Sequence, residues 1–358
     1  MKKILVISSY PAPYRVAVFR GLAKYYQMDI FFEFIQDQSR SAEWFVRSEE
    51  FKVLNTPENK AAFDLCLKHV KDYDLVLAYD YNNTNAGRLI RTCIRKKVPY
   101  IINCDGAFIN PHWLKDMVKR YYISHACGCF ASGQHAAEYF LHYGAEKDKI
   151  HLHQFTSMNE EDVQNAAQCQ VSKAELRASL GLEDIPTAVT IGQFIHRKGF
   201  DVLLDAWKDV PQPAQLVLVG GGDLEEEYRR QIRDLNLKNV YLVGFVAKEK
   251  VFQYYHASDL FVLPTREDIW GLVINESMAS GLPVIGTDRC VAAVELIENG
   301  VNGYVTAVGD VPALAEAMTK ILTDPALSQQ MSRANLEKIA SYTLENIVEN
   351  HRRVIDNL

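Results

Sequence analysis

No run in this 358-residue chain reaches the roughly 20 consecutive apolar residues that a membrane-spanning helix needs. The opening, Met1-Lys2-Lys3-Ile4-Leu5-Val6-Ile7-Ser8-Ser9, turns polar too soon for a signal peptide and reads as a first buried strand. A cysteine framework is lacking too. The seven thiols (Cys66, Cys93, Cys104, Cys127, Cys129, Cys169 and Cys290) are an odd number in scattered contexts, and Cys127-Gly128-Cys129 lacks the spacing of a zinc clip. Reduced thiols and a cytoplasmic location are the expectation. Nor is there an excess of positive charge. The formal net charge is −6, which argues against nucleic acid as a partner. Neither a GxGxxG fingerprint nor a Walker loop occurs.

What the chain does have is alternation. In the first half, apolar runs at 4–8, 30–34, 75–79, 100–103 and 129–131 read as strands, with helical patterns such as 15–26 and 86–96 between them. In the second half the strand candidates are 188–191, 215–219, 240–242, 260–263 and 283–286. Uniform βαβα order implies α/β architecture with parallel sheets covered on both faces. A polar stretch, Asn159-Glu160-Glu161-Asp162 and then Gln164 to Gln170, interrupts the alternation, and Ser172-Lys173-Ala174-Glu175 reads as a capped helix start. The expectation is therefore two Rossmann-like domains, 1–163 and 164–341, facing a cleft, with a last helix in 342–358 crossing back. Ligands of such sheets sit at the carboxyl ends of the strands.

Three segments of the second half carry chemistry. In Gly192-Gln193-Phe194-Ile195-His196-Arg197-Lys198-Gly199 a strand ends at Gly192 and a short loop presents two cations where a diphosphate could be gripped. A solvated basic turn would look the same. In Val219-Gly220-Gly221-Gly222-Asp223, glycines such as Gly221 would let backbone N–H groups approach a ligand, though a tight strand-to-helix turn needs them equally. The third segment, Glu267-Asp268-Ile269-Trp270-Gly271-Leu272-Val273-Ile274-Asn275-Glu276, holds two carboxylates eight residues apart. Gly271 would open a helix toward the diphosphate. Glu276, one to two turns in, could accept from both hydroxyls of a ribose. Two solvated acids beside an amphipathic helix are the plain alternative. Trp270 and the abrupt Gly281-Leu282-Pro283 stop argue against it.

Taken in order from about Thr190 to Val308, these segments resemble the retaining family 4 glycosyltransferases of the GT-B fold. That family carries Gly-Arg-x-x-x-x-Lys-Gly and then a Glu, seven residues and a second Glu. The resemblance implies that Lys198 neutralises the donor diphosphate and Glu276 holds the ribose. It places Gly271, Leu272 and Val273 against the diphosphate and Asp268 at the transferred sugar. It also implies a nucleotide-sugar donor, UDP-linked by family frequency, with no metal or other cofactor. Front-face attack would retain the anomeric configuration, and the two domains would close on the reactants. Two departures stand out. Asp268 replaces the first Glu, with Glu267 beside it, and Gln193 replaces the family arginine, leaving Arg197 as the second cation.

The first half is similar only loosely. Its Tyr10-Pro11-Ala12-Pro13-Tyr14-Arg15 loop could present Tyr14 and Arg15 to an acceptor, or be a structural turn. Asp105, after the strand at 100–103, could contact donor sugar or acceptor hydroxyl, or cap a turn; His112 ranks below it, as a surface residue. Stretches 88–97 and 113–122 interleave cations with apolar and aromatic residues, which suits an anionic membrane surface or a lipid-linked acceptor; a buried helix with a solvated basic edge explains the first stretch equally, and a saccharide acceptor is the other expectation. Cell-surface polysaccharide or glycolipid synthesis is the expected setting. A sugar-nucleotide epimerase, a non-catalytic nucleotide-sugar binder and a nicotinamide dehydrogenase are the rival readings, the last disfavoured by the missing fingerprint.

Overall fold

The computed structural model describes residues 1–36, 45–168 and 171–358. Cys169 and Gln170 of the polar stretch lie outside the described residues. The chain divides into two compact units, Met1–Ser157 with Thr343–Leu358, and Met158–Tyr342.

The first unit is built on seven strands: β1 (Lys3–Ser8), β2 (Gln27–Phe32), β3 (Lys52–Val53), β4 (Leu75–Ala78), β5 (Tyr100–Cys104), β6 (Gly128–Ala131) and β7 (Ile150–Leu152). They pair in the order β3-β2-β1-β4-β5-β6-β7, and every ladder is parallel. Its helices are α1 (Pro13–Ala23), α2 (Pro57–Lys68), α3 (Thr84–Lys96), α4 (Trp113–Ser124) and α5 (Gln134–His142). Central strands such as β4 and β5 are buried along their whole length. That is why they read as continuous apolar runs rather than alternating ones.

The second unit opens with two short capped helices, α6 (Glu160–Ala167) and α7 (Lys173–Ser179). Its sheet strands are β8 (Thr187–Ile191), β9 (Gln215–Val219), β10 (Val240–Val243), β11 (Leu260–Leu263), β12 (Val284–Thr287) and β13 (Gly303–Thr306). Their order is β10-β9-β8-β11-β12-β13, again parallel throughout. Between and after them run α8 (Phe200–Trp207), α9 (Glu225–Asp234), α10 (Lys248–Ala257), α11 (Leu272–Ala279), α12 (Val291–Leu296), α13 (Val311–Thr323) and α14 (Pro325–Ile339). The final helix, α15 (Leu344–Asp356), belongs to the first unit, where it packs on α1.

Two differences from the sequence reading have physical causes. The polar stretch at 159–162 is helical rather than irregular: Asn159 and Asp162 form a reciprocal capping box that starts α6, and α6 followed directly by α7 is what interrupts the alternation. The two-residue β3, the partly exposed β7 and the four-residue β13 lack the apolar run that marks a buried strand. They are fixed by their neighbours in the sheet rather than by their own composition.

Candidate functional site

In the second unit, chain order reverses between β8 and β11, neighbours in the sheet although β9 and β10 intervene in sequence. This is the switch point at which open parallel sheets bind ligands. Beyond β8 the chain makes a single 3-10 turn, His196–Lys198, then Gly199 and α8. Beyond β11 it runs through Pro264 to Gly271 and into α11. The two loops are stitched together. Arg197 O accepts from Arg266 N at 2.8 Å and from Thr265 Oγ1 at 2.9 Å. Arg266 also donates to His196 O at 2.7 Å and forms a two-pronged pair with Asp201 at 2.8 and 2.6 Å. Burial pushes the Asp201 carboxyl up, but Arg266 outweighs it and the net displacement is downward.

Within this frame Lys198 Nζ donates to Asp268 Oδ2 at 2.6 Å, and Arg197 lies 3.4 Å from the same oxygen. The Lys198 and Asp268 side chains are 12% and 15% exposed, whereas Arg197 is 46% exposed. Two of the cations expected at a diphosphate therefore converge on the acid expected at the sugar. Glu267 takes a different course, accepting from Arg289 at 2.8 Å on the surface. Of the adjacent acids, Asp268 is the one that faces the cations.

Gly271 precedes α11 in the left-handed region, φ +97°, and a Cβ there would lie 2.7 Å from Cys290 Sγ. The backbone turn into the helix is thus closed to any larger residue. Gly220 is constrained as tightly, since its Cβ would come within 1.9 Å of Gly192 O. Leu272 and Val273 form the first turn of α11, where backbone N–H groups have no intrahelical acceptor. Glu276 follows in the next turn, and Tyr255 on α10 donates to its Oε2 at 3.3 Å. Burial, with the Glu276 charge adding, pushes the Tyr255 phenol far up, so it remains a donor. Tyr255 escaped the sequence reading because nothing in α10 marks it; the pairing spans 21 residues.

Trp270, expected among the donor-binding residues, is buried instead, and its Nε1 donates to Asn275 at 2.8 Å. Its ring anchors the loop from within. Gly221 sits in the turn after β9 beside the exposed Phe245 ring, and its carbonyl accepts from Phe194 N at 2.9 Å.

The first unit gathers the other expected residues differently. Arg15, near the start of α1, is buried and ion-paired to Asp105, which follows β5. The guanidinium lies 4.4 Å from the Tyr79 ring centre and 5.5 Å from that of Tyr14. Tyr14 in turn packs edge-on against Phe155 at 5.5 Å. Of the two readings left open for Arg15, presentation to an acceptor or a structural turn, its side chain takes the inward course, to a carboxylate. Burial would lower the Arg15 pKa; Asp105 outweighs it and the balance is upward. Asn103 Nδ2 donates to the other Asp105 oxygen at 2.7 Å. His153 and His351 complete the group, ring centres 4.9 Å apart, with His351 stacked on Phe130 at 3.8 Å and 3.2 Å from Tyr79 OH. Burial lowers His153 to about 4 and drives His351 well below its usual value, with Arg15 adding to both. His153 Nδ1, His351 Nε2 and Asn103 Oδ1 are buried with no hydrogen-bond partner among the described residues.

Among the described residues no group of three or more His, Cys, Asp or Glu side chains is placed to hold a metal. The chain does contain one Asp-x-Asp, Asp72-Tyr73-Asp74, which the expectation of metal independence left out of account. It precedes β4 at the amino edge of the sheet, where Asp74 accepts from Lys3 N at 2.7 Å and Asp72 lies 3.7 Å from His69. That is the edge opposite to the one where such sheets bind ligands. A cavity of about 520 Å³ in the first unit is lined by Phe19, Tyr26, Met28 and Phe51, and none of the residues expected from the sequence lines it.

No helix is long and apolar enough to cross a membrane, among the described residues. Comparison with known proteins now adds to this geometry. The chain is 30% identical over 171 residues to an alpha-D-kanosaminyltransferase of Streptomyces kanamyceticus, covering 46% of this chain and 44% of that one. It is 27% identical over 174 residues to the lipopolysaccharide core biosynthesis glycosyltransferase LpsE of Rhizobium meliloti, 48% of this chain and 50% of the other. The chain spans about half the length of these curated relatives. The crystal structure of HepE from Anabaena in complex with UDP superimposes with a TM-score of 0.79 at 20% identity, covering both chains completely. That likeness shows the fold, a pair of Rossmann-like parallel-sheet domains of the GT-B type. Residues 172–338, which lie within the second unit, match the family model described as glycosyl transferases group 1.

Proposed function

We propose that this chain is a glycosyltransferase that takes a sugar from a nucleoside-diphosphate sugar, with UDP as the carrier, and delivers it to an acceptor hydroxyl with retention and without a metal. The observation that carries the reading is the convergence of Lys198, Arg197 and Asp268 at the β8/β11 switch point, directly before the N-terminus of α11. The setting is synthesis of a cell-surface polysaccharide or glycolipid, with a saccharide or lipid-linked acceptor.

In the reaction the bond between the anomeric carbon and the β-phosphate oxygen breaks, and its electron pair leaves with the diphosphate. The acceptor oxygen forms the new bond on the same face, and its proton passes to a phosphate oxygen. The developing negative charge is the barrier to be lowered. Lys198 and Arg197 supply fixed positive charge, and the first-turn N–H groups of Leu272 and Val273 add the positive end of a helix dipole. Lys198, once drawn to phosphate, releases Asp268 to accept from a hydroxyl of the transferred sugar. Glu276, oriented by Tyr255, accepts from the ribose diol. Gly192, Gly221 and Gly271 give the nucleotide close access to backbone. Asp105, held by Arg15 and Asn103, is the acid of the first unit assigned to the sugar or the acceptor hydroxyl.

The test is UDP release from UDP-sugars, with and without Mg²⁺ and chelator. Release that survives the chelator and is lost in Lys198→Ala supports the reading. An absolute need for a divalent ion would contradict the metal-free step. Binding without release from any donor would make the chain a nucleotide-sugar binder.

A further inference from the structure

The α4 helix (Trp113–Ser124) buries Tyr122 and Ile123 but also turns a second apolar arc outward, which packing on its own sheet does not require. Trp113 is 71% exposed and Met117 58%, and Leu114, Val118 and Tyr121 are exposed with them. At about 100° per residue these five side chains occupy one arc of about 140°. Ile109, in the preceding loop, is exposed as well. The inward side holds the buried Tyr122 and Ile123 together with two part-buried charges, Asp116 and Lys119. Asp116 accepts from Tyr143 OH at 2.9 Å, and Lys119 lies 3.3 Å from that hydroxyl and 4.6 Å from the ring centre. Burial lowers the Lys119 pKa accordingly.

The rim of the apolar arc is basic on both sides. On the same projection Arg120 falls just outside one edge and Lys115 outside the other, and both are exposed. Beside α4 runs α3, joined to it by the hydrogen bond from Arg91 to Tyr122 OH. This helix has four cations, Arg88, Arg91, Arg95 and Lys96, and no acid. Across the two helices Asp116 is the lone acid, and it points inward. This concentration of positive charge stands out in a chain of net charge −6.

We infer that the outer face of α4, rimmed by Lys115 and Arg120 and flanked by α3, docks the chain on an anionic lipid surface. The chemistry matches a bilayer interface. Trp and Tyr favour the headgroup level, Leu, Met and Val enter the acyl boundary, and the flanking cations meet lipid phosphates. A second copy of the chain fits worse. In an isologous pair the same patch meets itself, so the basic rims would face each other with no outward acid to answer them.

The inference does not depend on the donor site, and the experiment keeps the two apart. The full chain is sedimented with vesicles of phosphatidylcholine alone and of phosphatidylcholine with phosphatidylglycerol, at low and high salt, and UDP binding is measured on the same samples. Binding is expected to the anionic vesicles only, falling with salt. The paired change Lys115→Ala and Arg120→Ala is expected to weaken it about 25-fold, roughly fivefold per cation. Trp113→Ser with Met117→Ser is expected to weaken it at least tenfold. Both pairs lie on the surface, so melting temperature and UDP binding should match the parent. The inference is overturned by equal binding to both vesicle types, by no binding, or by binding that both variants retain. It is equally overturned by a concentration-dependent dimer that the Trp113 and Met117 changes disrupt while lipid has no effect.

Discussion

The two units carry the same kind of ion pair at the same kind of place and treat it in opposite ways. Lys198–Asp268 and Arg15–Asp105 each join a cation near a helix start to an acid just beyond a parallel strand. In the second unit Arg197, almost half exposed, shares the acid, and the pair opens on the first turn of α11. In the first unit the guanidinium is sealed under Tyr79 and next to two neutral histidines with unpartnered ring nitrogens. A cation pair that can exchange partners suits ligand binding; in the first unit the buried guanidinium instead holds Asp105 in place, while the acid itself keeps a quarter of its side chain exposed and can still meet a ligand.

The contrast can be broken by experiment. The largest effect is expected from Arg15→Ala, which strands the Asp105 carboxylate. Stability should fall by about 3–5 kcal/mol in urea unfolding. A loss below 1 kcal/mol would show that Asp105 does not depend on its buried cation. Next, Lys198→Ala should reduce UDP release about 100- to 1,000-fold while melting temperature changes little. A large melting shift with unchanged turnover would reverse the assignment of the two pairs.

Acid should then separate the units. His153 and His351 are neutral when folded, with pKa values below the ordinary 6.5. The unfolded chain therefore takes up these protons first, and stability is lost as pH falls from about 6.5 toward 4. His153 alone can account for about 2–3 kcal/mol across that window. His351→Phe should flatten the dependence and stay within about 1 kcal/mol of the parent at pH 7.5, because the lost contact to Tyr79 is offset by removal of an orphaned nitrogen. An unchanged acid profile would exclude His351 as a source. The smallest effect is expected from Tyr255→Phe. Losing the bond to Glu276 should weaken UDP binding by about 1 kcal/mol, read by calorimetry, with no change in pH dependence.

How much of this was legible in the sequence follows from how local each feature is. Parallel strands buried on both faces announce themselves as apolar runs, so most of both sheets could be placed to within a residue or two. The Gly271 turn and the spacing of Asp268 and Glu276 are contiguous and equally readable. Arg15 and Asp105 are 90 residues apart, and nothing local says that they meet. Tyr255 is likewise joined to Glu276 only through packing. Trp270 reads in the sequence only as a bulky residue beside the acids; that its indole is buried and donates to Asn275 is decided by packing.

One consequence of the 2.6 Å contact between Lys198 and Asp268 concerns selectivity. An ammonium group that already has a carboxylate at hand gains nothing by trading it for another single negative charge. Only a species of higher charge density, such as a pyrophosphate, offers a better bargain than the resident one. The site is thereby set to pass over singly charged anions, and UDP should outrank UMP.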